Sequence, residues 1–117
     1  MSRIALLAFV AGAALACAMA PSVAQNNAVA VTIDNFVFGP ERIAVKAGTT
    51  VTWTNRDDIP HTVANKDRLF KSKVMDTDES YSFTFTTPGE YSYFCSLHPH
   101  MTGTIVVEAA TGSAATQ

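Results

Sequence analysis

Between Cys95 and Met101 the chain reads Cys-Ser-Leu-His-Pro-His-Met, which places three donors in the spacing C-x-x-H-x-x-M. A thiolate, an imidazole and a thioether suit copper better than magnesium, calcium or manganese, which prefer oxygen. His61, in Ile-Pro-His-Thr-Val, is the candidate for a fourth ligand. His61, Cys95, His98 and Met101 are therefore the expected metal ligands. A thiolate and two imidazoles with a weak axial thioether make a site that serves one-electron transfer. Cu(I) prefers soft donors and Cu(II) accepts imidazole, so a site acceptable to both rearranges little. Taken singly, a Cys is a small buried hydrophobe, a Met is core filler and His-Pro-His is a surface loop. Together, at the end of a strongly patterned strand, they point to a single copper ion.

The start of the chain reads as an address rather than as part of the fold. Arg3 gives it a positive start, Ile4 to Met19 is apolar and rich in Ala and Leu, and Ser22-Val23-Ala24 is a small-x-small cleavage pattern. Residues 1–24 are read as a signal peptide for export to the periplasm. Cleavage after Ala20 is an alternative that would leave Pro21 at the new N-terminus, and Leu-Ala-Cys ending at Cys17 faintly resembles a lipid-attachment site. The apolar run is shorter than the roughly twenty residues a membrane span needs, so no stable membrane insertion is expected.

Removing residues 1–24 from the 117 leaves 93 residues with one cysteine, Cys95. An exported chain normally uses cysteines in pairs, so a single one suggests pairing to another chain, a reactive thiol or a metal ligand. Only a metal also makes use of His98 and Met101. Arg3 is the one charged residue removed, leaving seven Lys and Arg against ten Asp and Glu, a net charge of −3. Such a balance argues against nucleic-acid binding and against a membrane surface. Residues 25–117 are read as one domain with loose ends at Gln25–Ala28 and Ala109–Gln117.

The elements that must position the donors read as strands. Val29, Val31 and Ile33 alternate with polar neighbours, and Phe36 and Phe38 continue the alternation past Asn35 until the Gly39-Pro40 turn. Arg42–Val45 and Thr50–Asn55 follow, the latter with Val51 and Trp53 on the core face and threonines on the other. Pro60 stiffens the approach to His61. Residues 64–80 are dense in balanced charge and read as a loop with one short helical turn or an extra strand, and as a solvated face in preference to a docking patch. Met75 in this stretch reads as packing. Tyr81, Phe83 and Phe85 form the most regular strand, Pro88-Gly89 a hairpin turn, and Tyr91, Tyr93 and Cys95 the inward face of the returning strand. Gly103–Glu108 closes the domain. Seven or eight short strands without an amphipathic helix predict an all-β sandwich.

Over residues 29–108 the chain resembles the cupredoxin family, most closely its amicyanin and plastocyanin-like small blue-copper members. The likeness rests on Lys46 to Asn55, on Pro60-His61, on Tyr81 to Gly89 and above all on Tyr91 to Met101, whose two-and-two ligand spacing is that of amicyanin. The resemblance implies a cupredoxin-like two-sheet Greek-key β-sandwich with copper at one end. It also implies His61, Cys95 and His98 as equatorial ligands with Met101 axial. Two positions depart from the pattern. Thr62 stands where many relatives carry an Asn that ties the two ligand-bearing loops together, and His100 stands where amicyanin has Phe.

The expected role is that of an exported monomer, not an enzyme, that shuttles electrons between a donor and an acceptor protein. A periplasmic copper carrier or storage protein is the alternative, although delivery favours open, exchangeable ligands.

Overall fold

The computed structural model describes residues 27–110. The expected signal peptide, Cys17 and most of the loose ends lie outside these residues. Eight strands run in the order β1 (Ala28–Asp34), β2 (Val37–Gly39), β3 (Arg42–Lys46), β4 (Thr49–Asn55), β5 (Ala64–Asn65), β6 (Ser80–Phe85), β7 (Gly89–Cys95) and β8 (His98–Glu108). They form two four-stranded sheets, β2-β1-β4-β6 and β3-β8-β7-β5. The β1–β4 and β3–β8 pairs are parallel and the others antiparallel. This is the expected all-β, two-sheet sandwich. No helix among the described residues is long and apolar enough to cross a membrane.

The core lies between the sheets because each strand alternates inward apolar and outward polar residues. Val31, Ile33, Val51, Trp53 and Phe85 of one sheet meet Val45, Tyr93, Cys95, Ile105 and Val107 of the other. Trp53 is fully buried, stacked on Tyr81 and set edge-on to Tyr93. Burial pushes the Tyr93 hydroxyl up to about 12, so it stays neutral in the core. On the outer face of β4, Thr50, Thr52 and Thr54 pair their hydroxyls with Thr84, Ser82 and Ser80 of β6 at 2.7 to 2.8 Å. These cross-strand pairs hold the register that the inward residues require.

Four sequence expectations are corrected. Residues 29–38 are a hairpin, not one interrupted strand, because Asn35 and Phe36 both take positive φ, 53° and 62°. Two such residues make the tight turn that matches strand twist, and Asp34 then pairs with Val37. Phe36 therefore leaves the core face and is 42% exposed. The Pro88-Gly89 turn joins different sheets: β6 pairs with β4, whereas β7 is flanked by β8 and β5. The ligand segment is largely strand, since β8 begins at His98 and only Ser96-Leu97 turns. Finally, the loose N-terminal stretch is shorter, because Thr50 N–H donates to the Asn27 carbonyl and Ala28 already belongs to β1. The alternatives for residues 64–80 resolve to the extra strand, β5, paired to β7.

Gly103 of β8 sits opposite Tyr93 of β7. A β-carbon at Gly103 would overlap the Tyr93 ring, which is itself held edge-on by Phe38 and Trp53. Gly103→Ala is expected to destabilise the fold by about 1–3 kcal/mol, the usual cost of overpacking. A lower denaturant midpoint with an unchanged slope is the expected result, and an unchanged midpoint would contradict this packing.

Candidate metal centre

His61 enters the site from the loop after β4, and Asn55, the last residue of that strand, anchors the loop. Its buried amide donates to the Ile59 carbonyl at 2.9 Å and to the Met75 carbonyl at 3.0 Å. Its side-chain oxygen accepts the Asp57 N–H at 2.9 Å. His61 and Met75 then exchange backbone hydrogen bonds of 3.1 and 2.9 Å. A short charged loop is thereby fastened at both ends, and the imidazole it carries is fully buried.

The far side of that imidazole meets a carboxylate. His61 Nε2 lies 2.9 Å from Asp57 Oδ2, which also accepts the Phe36 N–H at 3.1 Å. The His61 hydrogen bond, helped by the Phe36 and Asp58 amides and working against burial, holds the Asp57 carboxyl below the usual carboxylate range. An ionised carboxylate only accepts, so Nε2 carries the proton and Nδ1 keeps a free lone pair. That Nδ1 faces Cys95 Sγ at 3.8 Å, and His98 Nδ1 faces it at 3.5 Å.

Donor atoms of His61, Cys95 and His98 all lie within 4.8 Å of one another. Strand pairing explains how the β7 and β8 residues arrive there. Phe94 pairs with Thr102 but Cys95 pairs with His98, so the register slips and Pro99, His100 and Met101 are taken up as a bulge. Bulges re-aim side chains. Here His98 stays half-buried, Met101 turns into the core and His100 is exposed, away from the cluster. The structure thus brings three of the four expected residues together and buries Met101 on the strand next to Cys95.

Thr62 carries the contact between the two segments. Its N–H donates to Cys95 Sγ at 3.3 Å, and its hydroxyl accepts the Ser96 N–H at 2.8 Å while also meeting the Ser96 hydroxyl at 2.8 Å. The tie that many relatives make through Asn is therefore kept by threonine.

Sequence reading missed Asn55, Asp57 and Phe36. An acid four residues before His61 was a usable signal for Asp57, but nothing local places Phe36, whose ring stands edge-on to His61 at 5.4 Å and to His98 at 4.9 Å. The donor set fits a copper ion: a buried thiol faces two imidazole lone-pair positions, and one imidazole has its tautomer locked from behind.

A family model described as Cupredoxin-like domain matches residues 5–107. The chain belongs to the cupredoxin family. It is similar to amicyanin-alpha of Methylorubrum extorquens, with 37% identity over 89% of this chain and 93% of that one. It also resembles amicyanin of Paracoccus versutus, at 38% over 70% of this chain and 66% of the relative. Chloroplastic plastocyanin of Tetradesmus obliquus is 33% identical over 92% and 83% of the two chains. Among solved structures, a mutant amicyanin in its Cu(I) form superimposes with a TM-score of 0.67 at 37% identity, covering 73% of this chain and 86% of that chain. A purple cupredoxin from Nitrosopumilus maritimus gives 0.66 at 31%, covering 68% and 99%. This is a small blue-copper cupredoxin of the amicyanin and plastocyanin type.

Two substitutions test the surroundings of the cluster. Thr62→Val deprives the Ser96 N–H of its acceptor and is expected to cost the copper-free protein about 1–3 kcal/mol, read as a lower urea midpoint, with Thr62→Ser close to the parent. Asp57→Ala removes the partner that orients His61 and is expected to weaken copper binding by about 10- to 100-fold in competition with a chelator. Parental affinity would mean that the loop alone orients the imidazole.

Proposed function

We propose that this chain is an exported carrier of single electrons that holds one copper ion through His61, Cys95, His98 and Met101. The observation that supports it best is the convergence of two imidazole Nδ1 atoms on one buried thiol, in segments already tied together through Thr62. When bound, copper supplies a one-electron couple between Cu(I) and Cu(II).

The protein's part is to keep that couple from being slowed by rearrangement. Asp57 holds His61 in one tautomer and one orientation. Thr62 N–H donates to the sulfur, a contact of the kind that tunes the potential of a copper–thiolate site. The Phe36 ring covers the edges of both imidazoles against water. His98, half-buried between exposed Leu97 and Pro99, gives the electron its way out to a partner that docks on these apolar residues. The donor set accounts for binding and electron passage without a position for substrate, which suits a carrier and not an enzyme.

Copper delivery or storage is the competing use of such ligands. Full burial of His61 and Cys95 opposes it, because delivery requires ligands that exchange. Export follows from reading residues 1–24 as a signal peptide cleaved before Gln25, which puts the mature monomer in the periplasm with its donor and acceptor proteins.

Cys95→Ser is expected to abolish the intense blue band of the Cu(II) protein while leaving a folded β domain. Met101→Leu is expected to keep copper and raise the reduction potential, because a weak donor that helps Cu(II) gives way to an apolar group. An intense charge-transfer band in the serine variant would sink the site assignment, and an unchanged potential would leave Met101 as core alone.

A further inference from the structure

Three of the four expected ligands, His61, Cys95 and Met101, are buried, and His98 alone reaches the surface. An ion therefore cannot come to Cys95 Sγ, which both imidazole Nδ1 atoms face, unless part of the cover moves. One part of that cover is the Phe36 ring. Its centroid lies 5.4 Å from that of His61 and 4.9 Å from that of His98, edge-on to each, and the two imidazoles stand 5.0 Å apart. The three rings close on one another in a triangle, and Phe36 is the corner that offers no donor atom.

The turn that carries this ring is strained and lightly held. Asn35 and Phe36 both have positive φ, 53° and 62°, an unfavourable backbone for any residue with a side chain and most of all for a bulky one. Among the described residues, one hydrogen bond ties the two turn residues to the sandwich beyond their own hairpin, from the Phe36 N–H to Asp57 Oδ2 at 3.1 Å. Phe36 and Val37 are both exposed, so the ring has solvent to swing into. Opening breaks that one bond and the two edge contacts and releases backbone strain, while β1 and β2 stay paired through Ile33 with Phe38 and Thr32 with Gly39.

The walls around the turn are fastened more firmly. Thr62 ties the His61 segment to Ser96 and to the Cys95 sulfur. His61 is held through backbone bonds to Met75 that do not involve the turn, so the imidazole keeps its place when the ring leaves. The latch itself belongs to the site, because the Asp57 oxygen that accepts the Phe36 N–H also lies 2.9 Å from His61 Nε2. Local opening follows the least stabilised element, and here that element is the Asn35-Phe36 turn.

We propose that the Asn35-Phe36 turn is the gate through which copper enters and leaves the site, with the Phe36 ring as its lid. The proposal rests on the copper-site reading and adds to it what sets the lifetime of the bound ion. A gate slows entry and exit by the same factor and leaves the affinity unchanged, because it is closed both before the ion arrives and after it is bound. Retention of the ion then depends on a residue that is not a ligand.

The test uses the mature protein and two probes. Uptake of Cu(II) by the copper-free form and its removal by excess chelator are followed at the blue band, and methyl methanethiosulfonate, a small thiol reagent, reports access to Cys95 with no metal present. In Phe36→Ala, uptake, removal and Cys95 labelling are all expected to speed up by about tenfold, the order that the loss of two edge-on ring contacts supplies, with the ratio of uptake to removal unchanged. Phe36→Leu, which keeps an apolar cover, should lie between the two, and Val37→Ala should match the parent. Parental rates in Phe36→Ala would place the entry path past His98 and overturn the gate. Faster removal with unchanged uptake would also overturn it, since Phe36 would then support the bound ion instead of admitting it. Absence of a blue band in the parent would overturn the copper reading instead, and the labelling rates would still decide by themselves whether this turn opens the site.

Discussion

The site depends on one threonine that spans two loops. His61 and Cys95 are 34 positions apart, and the segments carrying them meet where Thr62 donates its N–H to the thiol sulfur and its hydroxyl oxygen accepts the Ser96 N–H. A buried N–H or amide acceptor without a partner costs more than a typical hydrogen bond returns, so this contact resists separation of the loops more than it adds to stability. The same threonine carries out what an asparagine does in many relatives. What is required there is an acceptor for the Ser96 N–H within reach of the β4–β5 connection, and a hydroxyl supplies it as well as an amide.

A second set of constraints acts from behind the imidazoles. Asn55 ends β4 and immediately binds the loop it starts, so the strand's rigidity is passed through Ile59 and Met75 to His61. Asp57 converts that fixed position into a fixed tautomer. The Asn35-Phe36 turn reaches the same carboxylate, and its positive φ values put an aromatic ring on the outside of the sandwich, over both histidines. A bulky residue in this conformation is strained, and its persistence where it shields two buried or half-buried imidazoles links the strain to the site.

The clustering of His61, Cys95 and His98, the sandwich and the core face of β4, β6 and β7 were legible in the sequence, because period-two alternation and residue spacing are local properties. Cys95, His98 and Met101 announce themselves within seven positions, and His61 follows from the need for a second imidazole. The stretch read as a signal peptide, residues 1–24, is likewise a local pattern, and it lies outside the described residues. Tertiary structure alone decided what depends on pairs distant in the chain. Phe36 left the core face because two consecutive positive φ values turned a run of alternating apolar residues into a hairpin. The Pro88-Gly89 turn changed sheets because both edges of β7 are taken, by β8 and β5, so β6 pairs with β4 alone. A charge-dense segment acquired a strand and an anchored turn because β5 pairs with β7 and Asn65 accepts the Asp67 and Leu69 N–H groups. Spacing along the chain specifies which side chains could bind a metal, but strand register and loop anchoring determine which of them meet, and only the folded chain contains that information.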